Sequence, residues 1–531
     1  MRKPERSSHS LAALETPIAE PESSVAAENS HTSLDRRHFL SGSAFALLGI
    51  HHLAFAQEVT DAKKSSRDLT KATAALSSGA TKKTSQIIAE FVTGFDLKNV
   101  PSVTIDRARV AFIDTIGVML AGSRMPVSDI VCEMIKLEGS APAAAIVGQS
   151  LRTSPQLAAL ANGVAAHSMD YDFSYVRGQS VSPVIPAILP VAESMGASPR
   201  ESIAAFIIGC EVASRIDRAS PDFSGVGGWA TTGVIGTIAT AAACARLFKT
   251  PVTAIPNVIG ISVSMASAVA ANYGTMTKPM HSGNAARNGI LAAFLGTRGL
   301  TADSSALEGN NGYYKSYARG LGLSLEPFND LGSSYDLAKQ GYDIKCYPCG
   351  GRSHASIDAA LALRDGLSGH LSDISSIKVG ITKRNAQRLG DQYPLTIESA
   401  KFSIPYLIAY ALVHGAPRIS AFTEEAIGDE KVRTLAKAVT LIIDPEFADV
   451  RDDSPSRVKI ALSDGRMMEQ MRYYPCGSPE SPMSQAQIQG KFFDCASKAV
   501  NDDTANKIFT MLNTLSDQPS FKDFWPLLKS T

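Results

Sequence analysis

Apolar residues recur at helical spacing through most of the chain. In the segment TSQIIAEFVTGF, Ile87, Ile88, Phe91, Val92 and Phe95 fall at i, i+1, i+4, i+5 and i+8, one stripe of an amphipathic helix. Residues 103–123 keep that period and predict a second helix with Gly122 as its C-cap. The segments 201–216, 233–248 and 257–271 are rich in Ala and Gly and almost wholly apolar, which predicts helices buried on most sides. Gly228, Gly233 and Gly236 follow no strand and lack the G-x-G-x-x-G spacing, so they predict close helix packing rather than a phosphate loop. From about Asp343 the texture changes. Residues 374–384 and 453–475 alternate, the latter around Asp464-Gly465 as a hairpin turn. Helical stretches at 354–367 and 404–415 lie between them. Cys476-Gly477-Ser478-Pro479 breaks the chain, after which 487–500 and 506–515 are helical again. The predicted fold is therefore mostly α. A large all-helical domain (84–342 and 477–531) carries a smaller α+β lid domain (343–476) inserted before the C-terminal helices.

The N-terminus follows none of these periods. Residues 1–34 are rich in Ser, Ala, Glu and Pro, a disordered composition. Arg36-Arg37 then precedes a modestly apolar run that ends in Ala54-Phe55-Ala56, a small-x-small cleavage site. Residues 1–56 therefore resemble a twin-arginine signal peptide, which the twin-arginine export machinery reads, and 57–83 a linker. The expected location is the periplasm, with cleavage near Ala56. The run is too short and too polar for a stable membrane insertion, which needs about 20 apolar residues.

The 531 residues carry 51 Lys+Arg against 51 Asp+Glu, so no charge imbalance points to nucleic acid. With 44% hydrophobic residues the composition is that of a globular protein. Seven cysteines, an odd number in a long chain, do not form a fully paired disulfide framework. Polar groups concentrate in three clusters within apolar surroundings: 162–174, with His167, Asp170, Asp172 and Ser174; 275–287, with Lys278, His281 and Arg287; and 345–358, with Lys345, Arg352 and His354. Together their cations suit a di- or tricarboxylate, Arg by bidentate pairing and Lys as a point charge. Taken singly, each cluster also reads as ordinary structure. His-x-x-Asp-x-Asp fits a helix cap, and Lys278-Pro279 a helix start. Cys346-x-x-Cys349 fits a redox pair or half a metal site, but no second Cys pair stands at zinc spacing.

In order along the chain, DTIGVMLAGS (114–123), NGVAAHSMDYD (162–172), KPMHSGNAARNGILAAFLGTRGLTA (278–302), KCYPCGGRSHASIDAALAL (345–363), AKFSIPYLIAYAL (400–412) and SPMSQAQIQGKF (481–492) resemble the MmgE/PrpD family. That resemblance implies a helical domain with an α+β lid, a homodimer, and an active site between the domains without metal or organic cofactor. It implies lyase or isomerase chemistry on a small polycarboxylate. It assigns Asp170, Ser174, Lys278 and His281 to catalysis. Lys345, Arg352, His354, Gln179 and Arg287 fall to substrate binding. Two family histidines are missing: Gln179 or Ser180 stands where the first belongs, and Ala230 where the second does. Asp is also usual in the family where Phe173 stands. Histidine is the usual proton carrier near neutral pH, so its loss leaves Lys278 as the leading substitute, with Lys345, His281 and Tyr171 behind it. Three readings remain open: a lyase (dehydratase or decarboxylase) using lysine-assisted proton transfer, an isomerase or epimerase on the same scaffold, and a non-catalytic carboxylate-binding protein.

Overall fold

The computed structural model describes residues 82–220, 228–318, 323–367, 370–448, 450 and 454–529. Residues 1–56, expected to be a signal peptide, and all but the end of 57–83, expected to be a linker, lie outside the described residues. The helical part runs α1 (Thr84–Gly94), α2 (Ser102–Gly122), α3 (Pro126–Glu138), α4 (Pro155–Ser168), α5 (Val184–Met195), α6 (Pro199–Ala219), α7 (Thr231–Leu247), α8 (Ile255–Met265) and α9 (Thr277–Thr297). Two strands of two residues each, β1 (Ala144–Ala145) and β2 (Arg152–Thr153), pair antiparallel between α3 and α4. After residue 343 come α10 (His354–Arg364), β3 (Ile374–Ile381), α11 (Ile404–His414), β4 (Val439–Ile443), β5 (Ser456–Leu462) and β6 (Met467–Arg472). Finally α12 (Gln485–Ala496) and α13 (Asp502–Asn513) follow the sheet.

Most of α2, α6 and α7 is buried, as their small apolar composition demands. One core joins residues of α1, α2 and α5 to α9 with Phe492 of α12 and Ile508 of α13. A separate core, including Ile357, Ile377, Leu407 and Ile460, lies under the sheet. That sheet has the order β4-β3-β5-β6, with β3 and β4 parallel and the remaining pairs antiparallel. The β5–β6 hairpin closes at Asp464-Gly465, where Gly465 takes φ +90° and the Leu462 N–H reaches the Arg466 carbonyl at 2.9 Å.

Three expectations need correction. Gly122 is not a cap: it is the last residue inside α2, pressed on α4, where an added Cβ would stand 2.7 Å from Ser168 Oγ. Gly228 makes no close helix contact: an added Cβ would meet no atom within 4 Å among the described residues, and it lies before α7 with φ +71°. Helix α8 stops at Met265, so 266–271 do not continue it. Elsewhere the small residues act by close approach. A Cβ on Gly163 of α4 would fall 2.7 Å from Gly283 Cα on α9, and one on Gly283 would fall 2.6 Å from the Leu160 carbonyl. These two glycines bring the backbones of α4 and α9 together.

Candidate active site

Helix α4 ends at Ser168, and the chain turns sharply through Asp170, a non-glycine residue at φ +52°. Asp tolerates this left-handed conformation better than most residues, and strained backbone of this kind gathers at functional sites. Helix α9 runs beside α4, and its first turn sends the buried Lys278 ammonium to Asp170 Oδ1. Lys345, at the start of the α+β segment, reaches the same oxygen at 2.9 Å and the Asp170 carbonyl at 2.8 Å. Burial alone would keep Asp170 protonated. The ammonium groups of Lys278 and Lys345 outweigh it and hold the carboxyl well below the usual carboxylate range.

Gln179 occupies the place where the family resemblance puts a histidine. Its Nε2 donates to Asp170 Oδ1 at 2.8 Å and to Asp172 Oδ1 at 3.0 Å. Ser180, the other candidate for that place, is buried and donates instead to the Tyr175 carbonyl at 3.0 Å. Behind them His167 Nδ1 lies 3.0 Å from Asp172 Oδ2. Burial and the Lys278 charge lower the His167 pKa, so its ring is neutral. His167, Asp170 and Asp172 are close enough for a cation to bridge them. Asp170 already faces two ammonium groups, however, and a divalent ion would have to displace one of them.

These groups open on a cavity of about 960 Å³ between the helical and α+β parts, at the upper end of ordinary ligand pockets. Asp170, Ser174, Gln179, Lys278, Lys345 and His354 all line it, as does Arg352. Ser174 is placed by paired backbone hydrogen bonds with Asp343, each 2.9 Å. His354 Nε2 has no hydrogen-bond partner among the described residues, and burial together with Lys345 lowers its pKa to about 3. The cation that keeps this ring neutral is thus Lys345 rather than the neighbouring Arg352.

Two sequence candidates fall elsewhere. His281 sits one turn along α9 from Lys278 and is not part of the cavity wall. Burial, His167 and Lys278 lower its pKa to about 4. Arg287 lies nine residues beyond Lys278, about 13 Å along the helix, with only Asn288 Oδ1 at 3.4 Å. In its place the α+β part supplies Arg384 and Arg388 to the cavity wall beside Arg352. Burial and these two neighbouring guanidinium groups lower the Arg352 pKa to about 10. Arg352 Nη1 is steadied by Asn385 Oδ1 at 2.7 Å, and Arg388 lies 5.8 Å from the centre of the Tyr273 ring. Lys401, inside the matching segment 400–412 but not singled out there, is a further buried cation. Its Nζ donates to the Ser168 carbonyl at 2.9 Å, and burial lowers its pKa to about 8. With Glu398 three residues before it, it reads in sequence as half of an ordinary solvated charge pair.

Residues 86–326 match the MmgE/PrpD N-terminal domain and residues 347–517 the MmgE/PrpD C-terminal domain. This chain belongs to the MmgE/PrpD family. Among its relatives is the cis-aconitate decarboxylase of Homo sapiens, 27% identical over 84% of this chain and 95% of the relative. The enzyme of the same name from Mus musculus is 27% identical over 84% and 94%, and that from Aspergillus terreus 26% over 83% and 94%. All three relatives are lyases by name.

Proposed function

We propose that this protein is a carboxy-lyase that removes CO₂ from a small unsaturated tricarboxylate of the cis-aconitate class. One observation carries the reading: a single cavity gathers Lys278 and Lys345 around Asp170 together with Arg352, Arg384 and Arg388. Two sets of cations suit a ligand with several carboxylates. The arginines hold the carboxylates that stay, by paired N–H donors. Loss of CO₂ leaves an electron pair on carbon, which the double bond spreads towards a neighbouring carboxylate. Fixed cations near that carboxylate stabilise the developing charge. A proton delivered to carbon completes the reaction, and Lys278 is the donor best placed to supply it, with Asp170 holding its ammonium group in line. At the cavity wall His354 is neutral, so it accepts a hydrogen bond from a substrate hydroxyl or carboxylic acid rather than delivering a proton.

Gln179 favours a second reading, a carboxylate-binding protein without turnover, because an amide cannot carry a proton where the family has an imidazole. An NMR time course with a panel of di- and tricarboxylates in D₂O separates the two. CO₂ release with deuterium on the product supports the lyase. Thermal stabilisation by a tricarboxylate that stays unchanged supports the binder, and deuterium uptake without CO₂ loss supports an isomerase.

Export and dimerisation belong to the same proposal. Arg36→Lys with Arg37→Lys should leave the protein folded but in the cytoplasm, as cell fractionation would show; a double variant that still reaches the periplasm overturns the export reading. Light scattering on the mature chain should give a homodimer.

A further inference from the structure

We propose that Cys346 and Cys476 form a disulfide that fastens together the two crossovers joining the α+β part to the helical part. Their sulfurs stand 2.7 Å apart although the residues are 130 positions apart in sequence. A small side-chain rotation takes such a pair to the roughly 2.05 Å of an S–S bond. The two backbones are already aligned. The Ile344 N–H donates to the Gly477 carbonyl at 2.9 Å, and the Cys476 N–H donates to Asp358 Oδ2 at 2.7 Å. On the other side the Tyr171 hydroxyl donates to the Cys346 carbonyl at 3.2 Å.

The C-x-x-C spacing suggests a different partner, and the geometry rejects it. Cys349 is turned towards Ser353 Oγ, 3.4 Å away, inside the α+β core. Cys210 and Cys244 are buried in the helical core, and Cys132 and Cys495 in two smaller clusters. Cys476, by contrast, is half-buried and lines the cavity, so a small oxidant can reach it. The hydrogen bond donated by the Cys346 thiol also outweighs burial and lowers the Cys476 pKa, which makes Cys476 the attacking thiolate.

The oxidant is a low-molecular-weight disulfide. The Cys476 thiolate attacks one of its sulfurs, expelling one thiolate and leaving a mixed disulfide on Cys476. Cys346 then gives up its proton, attacks Cys476 Sγ and expels the second thiolate. Two protein thiols become one disulfide, and one small disulfide becomes two thiols.

The test uses the folded chain treated with glutathione disulfide and freed of excess oxidant; one portion is denatured for thiol titration, and another is denatured in a blocking reagent and digested with trypsin. Thiol titration should find two fewer than the seven thiols of the reduced chain. Mass spectrometry should find the peptide 346–352 linked to 473–491. Because 346–352 also holds Cys349, variants decide the pairing. Cys349→Ser should keep the link, and Cys346→Ser and Cys476→Ser should each abolish it. The oxidised wild-type protein should melt several degrees above the reduced one, a difference that Cys476→Ser should erase. Seven titratable thiols after treatment, a link that survives Cys346→Ser, or one lost in Cys349→Ser would overturn the proposal.

Discussion

Asp170 is the residue on which the candidate site turns, because two lysines and an amide converge on one carboxylate. Replacing Lys278 with Met removes the proposed proton donor and should lower kcat by at least about 10²-fold, the low end for loss of a general acid–base group. Circular dichroism on the same sample checks that the variant is folded. Gln179→His should restore a titratable group beside Asp170 and Asp172, and is expected to raise kcat; an unchanged rate in this variant would detach that position from proton transfer. The residues that meet at Asp170 are legible in sequence because polar groups in an apolar helical context are costly and therefore conspicuous. Arg384, in the four-residue helix Lys383–Ala386, and Arg388 and Lys401, in turns, are not, since a charge in such short elements ordinarily faces solvent. Arg287 shows the opposite error. It shares a motif with Lys278, but helix geometry carries it two and a half turns away.

At the level of elements, the site depends on how closely α4 and α9 can approach. Gly163 and Gly283 face each other where any side chain would collide with backbone. Gly283→Leu should therefore lower Tm, at a cost of about 1–3 kcal/mol or more for overpacking, and should weaken carboxylate binding by moving Lys278 away from Asp170. Thermal denaturation with and without a tricarboxylate reads both effects. The amphipathic stripe of α1 and the β5–β6 hairpin are readable because their patterns match a single period. Strand β4 is harder to find. Its sequence, Val439–Ile443, is apolar almost throughout while only Val439 is buried, because it lies at the sheet edge beside β3. Helix α8 is overread for a related reason: Ala-rich sequence beyond Met265 favours a helix locally, but the chain must turn there to bring 268–270 against Gly228 and Ala230.

For the molecule as a whole, the buried neutral histidines His167, His281 and His354 set the acid limit. His354 and His281 have pKa values near 3 and 4 in the folded chain, against the ordinary value of 6.5. Below pH 6.5 the unfolded chain takes up protons at these positions and the folded chain does not, so stability falls as the pH drops towards 4. Between pH 6.5 and 5 each group should cost roughly 2 kcal/mol, read as a fall in the denaturation midpoint. His354→Gln should reduce that fall.

The turn at Asp170 also depends on the far end of the chain. Lys491 of α12 reaches Asp114 Oδ1 at 2.6 Å and the Tyr171 carbonyl at 2.8 Å, while Asp114 accepts the Phe173 N–H at 3.2 Å. The segment that shapes the Asp170 turn is thus braced by a helix made only after the entire α+β part. On the ribosome, Asp114 and residues 170–173 must wait without their counter-charge until α12 emerges, and the sheet domain has the opportunity to complete its own core first. The Asp170 turn is in this sense among the late features the growing polypeptide acquires, and a chain released early would carry both lysines of the candidate site but no support beneath them.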